Sequence, residues 1–511
     1  MKKITSFIEI FCTKAIFALA VVMFGGFSYW AVKYKHEFPA DYSAERVVGS
    51  FDSLKKNLLV FLFVFGGMYL IQKLLSRGTK QAQKKKINIF VVINIILVGI
   101  FGVIWVAGSH IMPYADQHQV YLTSVEFSQG IYRDMKEYFY MCPQQYGLAF
   151  LYECVLWIWE SYHLIQYINV IFLVMIYFFG FQLSKLIFGT QQAGLCTVLA
   201  MDLFLPLVLY VNFVYGEMGT VAMSMCAVWA VMKWLEKEKI SYAVLGAVAM
   251  ALAMLVRMNM VIVSVALAII LCVVALKKKN WKACVIALLL FVVPFGSIKA
   301  VELSYEARSG IKVGEGIPTV LVVAMGMQQS WQGAGAYNAY NHMVFWGDAG
   351  GDSEVAAQIA TDYIKGRIHE MAEDPATTRY FYQSKIWEQW NVGSMGSLFM
   401  TKHFDAAPFA LAQSVYDGPL QGPVLEWMNS YLFVIYAAAF LFAVYGFTFV
   451  KDIRSAVFYL IAIGGLIFSL LWESKARYVF PYVVMILPCV GVMFALITQY
   501  FEGLISKVVK K

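Results

Sequence analysis

The segment KKKINIFVVINIILVGIFGVIWVAGSHIMPYADQHQV (84–120) contains a lysine cluster, an apolar run and an acidic loop in immediate succession. The apolar run covers 87–109, and a helix needs about 20 apolar residues to cross a bilayer. Lysine clusters mark the cytoplasmic ends of membrane helices. This order predicts a membrane helix that starts inside the cell and places Asp116 on the opposite face.

The composition extends this prediction to the whole chain. Its 511 residues are 60% hydrophobic and 14% charged, with a mean hydropathy of +0.66, whereas soluble domains carry about 25% charged residues. We predict an all-α polytopic membrane protein, a helical bundle of about 12–13 membrane helices. The predicted spans are 8–31, 57–75, 87–109, 145–163, 166–188, 193–213, 218–234, 241–256, 258–276, 282–300, 430–450, 455–472 and 479–499.

The net charge of +8 lies mainly in short Lys/Arg clusters between spans, of which 77–86 and 277–282 are the strongest. This distribution is typical of cytoplasmic membrane-protein loops and argues against a nucleic-acid partner. With these clusters inside, the segments 110–144, 301–429 and 473–478 lie outside.

The topology leaves one parity conflict. Seven predicted spans separate the two lysine clusters, whereas an even number of crossings is required. Either 241–256 and 258–276 form one helix broken at Arg257, or 145–163 inserts only partly.

The loop 301–429 is too long for a plain connector. Its pattern predicts a helix over 353–374 with Ser353 as N-cap and a second helix from Pro375. We therefore divide the chain into an N-terminal two-helix segment (1–86), a membrane core (87–300) with a first outside loop (110–144), an outside cap (301–429) and C-terminal membrane helices (430–511).

Polar residues at the outer boundary are the candidates for chemistry. Asp116 is the candidate general base, because partial shielding from water raises a carboxyl pKa toward the range that suits proton removal. Its loop also holds charges that we interpret as surface residues, Glu126, Arg133, Asp134 and Glu137.

The segment LLWESKARYVFPYVVMILP (470–488) concentrates Glu473, Lys475, Arg477 and Tyr478 between two apolar runs. On a helix, Glu473 and Arg477 would share a face and pair. The guanidinium of Arg477 has a fork of donors that matches phosphate oxygens.

Arg257 and Asn259 interrupt another apolar stretch, and a charge there should face the bundle interior or a water-filled cavity. The partner of Arg257 is either a lipid phosphate or one of the acids Glu217 and Asp202.

In KIWEQW (385–390), Lys385 and Gln389 share a helical face beside Trp390. These residues and the aromatic residues of 331–340 suit either sugar recognition or lipid headgroups.

Motifs for soluble nucleotide or hydrolase chemistry are absent from the sequence, and the eight cysteines show no metal-ligand spacing. We assign no residue as a metal ligand, and we name no cofactor.

Taken in order, several of these segments resemble the GT-C superfamily of integral-membrane glycosyltransferases, and most of all its bacterial GT-39-like members. The resemblance covers most of 87–499. It rests on PYADQ (113–117), YMCPQQYGL (140–148), RMN (257–259), Lys385 with Trp390, and ESKARYVFPYVVMILP (473–488). Many family members have a second acid beside the first, whereas Gln117 follows Asp116 here, which leaves the need for a divalent metal open.

The resemblance implies a multi-pass enzyme of the bacterial cell membrane with its active site outside. It would be an inverting hexosyltransferase that moves a sugar from a polyprenyl-phosphate-linked donor to an envelope glycan, teichoic acid, lipid or protein. Asp116 would be the base. The residues expected to bind the donor phosphate or lipid are Arg257, Lys385, Arg477 and Tyr478, with Glu473, Glu217, Asn259 and Trp390 in support.

Two other functions fit the same features. A transporter or flippase of lipid-linked sugars would use intramembrane Arg257 and Glu217 along a polar path, although the sequence shows no paired halves. A polysaccharide polymerase or ligase would keep the lipid-linked donor and transfer whole chains.

Overall fold

The computed structural model describes residues 2–39 and 44–509, which are mostly helical. Met1 and residues 510–511, at the ends of the predicted first and last segments, and the stretch 40–43 lie outside the described residues. The first part of the chain forms α1 (Lys2–Lys33), β1 (Tyr34–Glu37), β2 (Val48–Phe51), α2 (Leu54–Leu75), α3 (Lys80–Ser109), α4 (Asp116–Ser128), α5 (Tyr138–Met141), α6 (Tyr146–Leu156) and α7 (Tyr162–Phe188).

The remaining elements complete the bundle and the cap, and each of the two small sheets is an antiparallel pair, β1 with β2 and β3 with β4. The middle part forms α8 (Gln191–Asp202), α9 (Pro206–Leu209), α10 (Glu217–Lys237), α11 (Ile240–Val256), α12 (Val261–Lys278), α13 (Lys282–Ser309) and α14 (Thr319–Gly326). The last part forms β3 (Gln329–Ser330), β4 (Gly333–Ala334), α15 (Tyr340–His342), α16 (Ser353–Glu373), α17 (Pro375–Trp390), α18 (Ser397–Met400), α19 (Ala410–Asp417), α20 (Gln421–Phe449), α21 (Val457–Leu471) and α22 (Phe480–Val509).

The chain is an all-α polytopic membrane protein. Ten helices in the described ranges are long and apolar enough to cross a bilayer, namely α1, α2, α3, α7, α10, α12, α13, α20, α21 and α22. The pair α8 and α9, bent by 63°, is an eleventh candidate, and α11 is a shorter apolar helix of 17 residues.

Polar contacts identify the two ends of the bundle. Asn280 donates a hydrogen bond to Glu238 at 3.4 Å, which holds the start of α11 beside the end of α12. At the other end of α11, Arg257 pairs with Glu217 at 2.9 Å. We call the end with the lysine clusters the basic end, and the end with Asp116 the site end.

These contacts resolve the parity conflict of the sequence. The helices α11 and α12 run in opposite directions between the two ends, so they do not form one broken span. The predicted span 145–163 is wrong, because α6 has only 11 residues, too few to cross a bilayer. Six segments then connect the two lysine clusters: α3, α7, the pair of α8 and α9, α10, α11 and α12.

The long segment before α20 folds into helices at the site end. The predicted helices at 353–374 and from Pro375 are present as α16 and α17. The N-cap of α16 is Asp352, not Ser353, because the Asp352 carboxylate accepts the Glu354 and Val355 backbone N–H groups at 2.8 and 3.0 Å. A small core of its own includes Leu321, Val344, Phe345, Ala356 and Ala360.

Close helix packing at Gly147 gives a test of this arrangement. A Cβ at Gly147 would lie 2.2 Å from the Leu255 carbonyl oxygen of α11. We expect Gly147→Ala to force α6 away from α11 and to lower the free energy of unfolding by about 1–3 kcal/mol. Thermal unfolding of the purified protein in detergent measures the change.

The matched control is Gly26→Ala in α1, where the added Cβ meets nothing within 4 Å. That substitution should leave stability unchanged or raise it slightly, because alanine favours a helix over glycine. Equal thermal stability of the two variants would contradict the described packing of α6 on α11.

Candidate functional site

The site begins at the first residue of α4. Asp116 is exposed, so the partial shielding from water that the sequence suggested for this carboxylate is wrong. It follows Ala115, whose φ of 51° is unusual for a residue other than glycine. This turn ends the chain segment that leaves α3 and directs the carboxylate toward Tyr215, whose hydroxyl is 3.5 Å from the Asp116 Oδ2 atom. At the N-terminus of a helix, the carboxylate is stabilised by the helix dipole.

Tyr215 is the central residue of the site. Its side chain is buried, and its hydroxyl accepts a hydrogen bond from Gln145 at 2.8 Å and lies 3.4 Å from the Tyr138 hydroxyl. The guanidinium carbons of Arg257 and Arg477 lie 4.0 and 5.0 Å from the centre of its ring. Tyr215 is not among the residues predicted from the sequence, although Tyr215 lies two residues before the candidate Glu217.

The two arginines share one acid. Arg257 and Arg477 lie 2.9 and 3.4 Å from the same oxygen of Glu217. Arg477 is 5% exposed, and its Nε has no hydrogen-bond partner in the described part of the chain. Because two guanidiniums face one carboxylate, this group of three keeps one surplus positive charge and a free donor.

The charged side chains of the loop between α21 and α22 form different pairs from the predicted one. The predicted Glu473–Arg477 pair does not form, because α21 ends at Leu471 and α22 starts at Phe480, so no helix places the two on one face. Glu473 instead lies 3.2 Å from Lys475 and accepts the Tyr478 hydroxyl at 3.2 Å.

Lys475 also reaches the N-terminal segment, where it lies 3.4 Å from Glu45. Burial alone would lower the pKa of Lys475, but Glu473 and Glu45 raise it above its ordinary value. The lysine therefore stays charged beside Arg477 and Tyr478.

The cap contacts the loop between α21 and α22. The Ser474 backbone N–H donates to the Gly335 carbonyl at 2.8 Å, and the Lys475 amine lies 5.7 Å from the centre of the Tyr337 ring. The segment 331–340, whose aromatic residues suit contact with a sugar or with lipid headgroups, thus borders the cluster.

Lys385 and Trp390 fasten the cap to the bundle. The Lys385 amine donates to the Gly326 carbonyl and to the Leu470 carbonyl at 3.0 Å, while the Trp390 indole donates to the Ser469 hydroxyl at 3.1 Å. These contacts give both residues a structural role, because their donors are used by groups at the ends of α14 and α21.

Other predicted residues lie apart from Tyr215 or hold different partners. Asp202 accepts a hydrogen bond from Asn94 at 2.8 Å, so it is not the partner of Arg257. Asp134, interpreted as a surface charge, is 3% exposed, and it accepts hydrogen bonds from Thr123 and Gln119.

Asn259 lies in the short turn between α11 and α12, two residues from Arg257. No three His, Cys, Asp or Glu side chains in the described ranges are placed to hold a metal ion.

The similarity of this chain to known proteins is low. No family model and no curated protein matches the chain. The crystal structure of the oligosaccharyltransferase of Archaeoglobus fulgidus in the apo form is similar at a TM-score of 0.43 and 13% identity, over 82% of this chain and 52% of that one. The chain thus spans about half the length of that protein.

The buried amine of Lys385 predicts a pH dependence of stability. Burial lowers the pKa of Lys385 to about 7, whereas a lysine of the unfolded chain titrates near 10.4. Between these values the unfolded chain binds more protons, so stability should rise with pH by up to about 1.4 kcal/mol per pH unit. Below pH 7 both states are protonated, and the contribution is constant.

Thermal unfolding between pH 7 and 9 checks this sign. We expect Lys385→Met to flatten the rise relative to the wild type, and Lys365→Met, which removes an exposed lysine paired with Asp362, to leave it unchanged. Parallel pH profiles for the wild type and Lys385→Met would show that the amine is equally protonated in both states.

Proposed function

We propose that this protein is a membrane glycosyltransferase that moves a sugar from a polyprenyl-phosphate-linked donor to an acceptor outside the cytoplasm. One observation carries the proposal: an accessible carboxylate, Asp116, and the guanidiniums of half-buried Arg257 and buried Arg477 all lie against one buried residue, Tyr215. A group that can accept a proton and groups that can bind an anion thus lie close together around Tyr215.

The arginines supply the anion-binding half. A phosphate that approached Arg257 and Arg477 would meet charge that Glu217 only partly neutralises and the free Nε donor of Arg477. In a site shielded from water, such charges stabilise an anion more than they would at the surface. The surplus is suited to the negative charge that develops on a departing lipid phosphate.

The carboxylate supplies the proton-accepting half. In the proposed reaction the acceptor oxygen forms a bond to the anomeric carbon, while the bond from that carbon to the phosphate oxygen breaks. The acceptor proton passes to Asp116, and the electron pair of the broken bond stays on the phosphate. The Tyr215 hydroxyl orients the carboxylate from the protein side and leaves its other lone pairs for the acceptor.

The charge distribution suggests where the reaction takes place. Lysine clusters at the basic end favour the cytoplasmic side, which would put the site end and its cap outside. Proposed acceptors are therefore envelope glycans, teichoic acids, lipids or proteins, and the proposed location is the bacterial cell membrane.

Asp116→Asn tests the base. We expect transfer of labelled sugar from a polyprenyl-phosphate donor by protein in liposomes to fall about 10²–10⁴-fold, because the amide cannot accept the proton. The matched control is Glu126→Gln, which changes a carboxylate of the same helix that pairs with the exposed Arg133. Full activity of folded Asp116→Asn would disprove the assignment of the base.

The same assay distinguishes a transferase from a transporter of lipid-linked sugars. If no sugar is transferred from any donor, but labelled lipid-linked sugar crosses the bilayer at an equal rate in wild type and Asp116→Asn, the protein moves its lipid without breaking a bond.

Arg477→Lys tests the anion site. Lysine keeps the charge but loses the planar fork of donors, so we expect kcat/KM for the donor to fall about 10–10³-fold through interactions with the phosphate. Arg454→Lys at the basic end, where the arginine pairs with Asp452, should leave it unchanged. A change confined to the KM for the acceptor, with kcat/KM for the donor unchanged, would place Arg477 outside the donor site.

A further inference from the structure

A groove on the outer wall of the bundle lies between α2 and α20 at the site end. Its volume is about 500 Å³. The lining residues are Ser53, Lys55, Lys56, Leu59, Val60, Phe63 and Trp427. None of these residues belongs to the cluster around Tyr215.

The groove changes from basic to apolar along one helix. Lys56, Leu59, Val60 and Phe63 are spaced so that they share one face of α2. The lysines lie in the first turn, at the site end, and the apolar residues follow in the next two turns toward the middle of the bundle. Leu59 is 57% exposed and Phe63 is 70% exposed, so on a membrane-spanning helix this face meets lipid.

The basic end of the groove has unmatched positive charge. Lys56 is held by Asp52 at 2.6 Å and by Glu426, and Glu426 also pairs with Lys35. Lys55 has no carboxylate within ion-pair distance among the described residues. Among the described residues, three lysines therefore face two carboxylates, which leaves one positive charge at the first turn of a 22-residue helix, where the helix dipole adds to it.

We propose that this groove binds one phospholipid of the bilayer whose headgroup carries one net negative charge. The phosphate lies against Lys55 and the start of α2, and an acyl chain follows Leu59 and Phe63 beside Trp427. The single surplus charge matches a headgroup whose only charge is its phosphate diester, and the order of basic and apolar residues matches an amphiphile that enters from the membrane. The lipid fills the open angle between α2 and α20 and adds contacts that hold α2 against the bundle.

Native mass spectrometry of the full-length protein, loaded with equal dioleoylphosphatidylglycerol and dioleoylphosphatidylcholine, tests this proposal. We expect the wild type to retain one phosphatidylglycerol in preference to phosphatidylcholine. Lys55→Gln should lower that retention about fivefold, because one lysine at an anionic lipid surface contributes about 1 kcal/mol, which is about a fivefold change in affinity. Lys55→Arg should preserve it.

Lys299→Gln is the control, because it removes one positive charge from another membrane helix, where Lys299 pairs with Glu302. This variant should retain lipid like the wild type. Equal phosphatidylglycerol retention by wild type and Lys55→Gln, with unchanged thermal stability, would overturn the proposal. Displacement of phosphatidylglycerol by equimolar polyprenyl phosphate would also overturn it, because the groove would then select a carrier lipid. The readout needs no catalysis, so it stands apart from the proposed transferase activity.

Discussion

The site end of the bundle depends on how the buried carboxylate of Glu217 is neutralised. Glu217 is 4% exposed at the start of α10, and an unpaired charge there would be strongly destabilising. Arg257, from the turn between α11 and α12, and Arg477, from the turn before α22, supply its partners. One acid therefore joins three membrane segments, and the surplus guanidinium charge that results is the feature on which the proposed anion binding rests. Stability and proposed function share the same contacts.

The cap is held to this end by polar groups at helix termini. Lys385 and Gln389 donate to carbonyls at the end of α21, which are the acceptors that a helix leaves free. The N-terminal segment adds a second attachment, since Asn391 donates to the Tyr34 carbonyl at 2.8 Å and Ser394 donates to Glu37 at 2.8 Å. The cap therefore forms one unit with the spans around the site.

The N-terminal helix is part of the core and not an appendage. The ring of Phe27 lies 5.0 Å from that of Trp390, and Phe17 lies 5.5 Å from Tyr459. Trp390, which the sequence suggested for sugar or lipid contact, is fully enclosed by this aromatic packing. By contrast, α2 is largely exposed, which leaves room for lipid between it and α20.

The sequence by itself determined the class of the protein and most of its spans, because apolar length and lysine clusters are local properties that the bilayer imposes on each segment. It also pointed to Asp116, Arg257, Glu217 and Arg477, since charges beside apolar runs are too costly to be incidental. Only the tertiary structure decided that α6 does not cross, that Glu473 pairs with Lys475, and that Tyr215 lies between Asp116 and the two arginines. Those features depend on where helices end and on which distant segments meet, and the local pattern of residues does not specify either one.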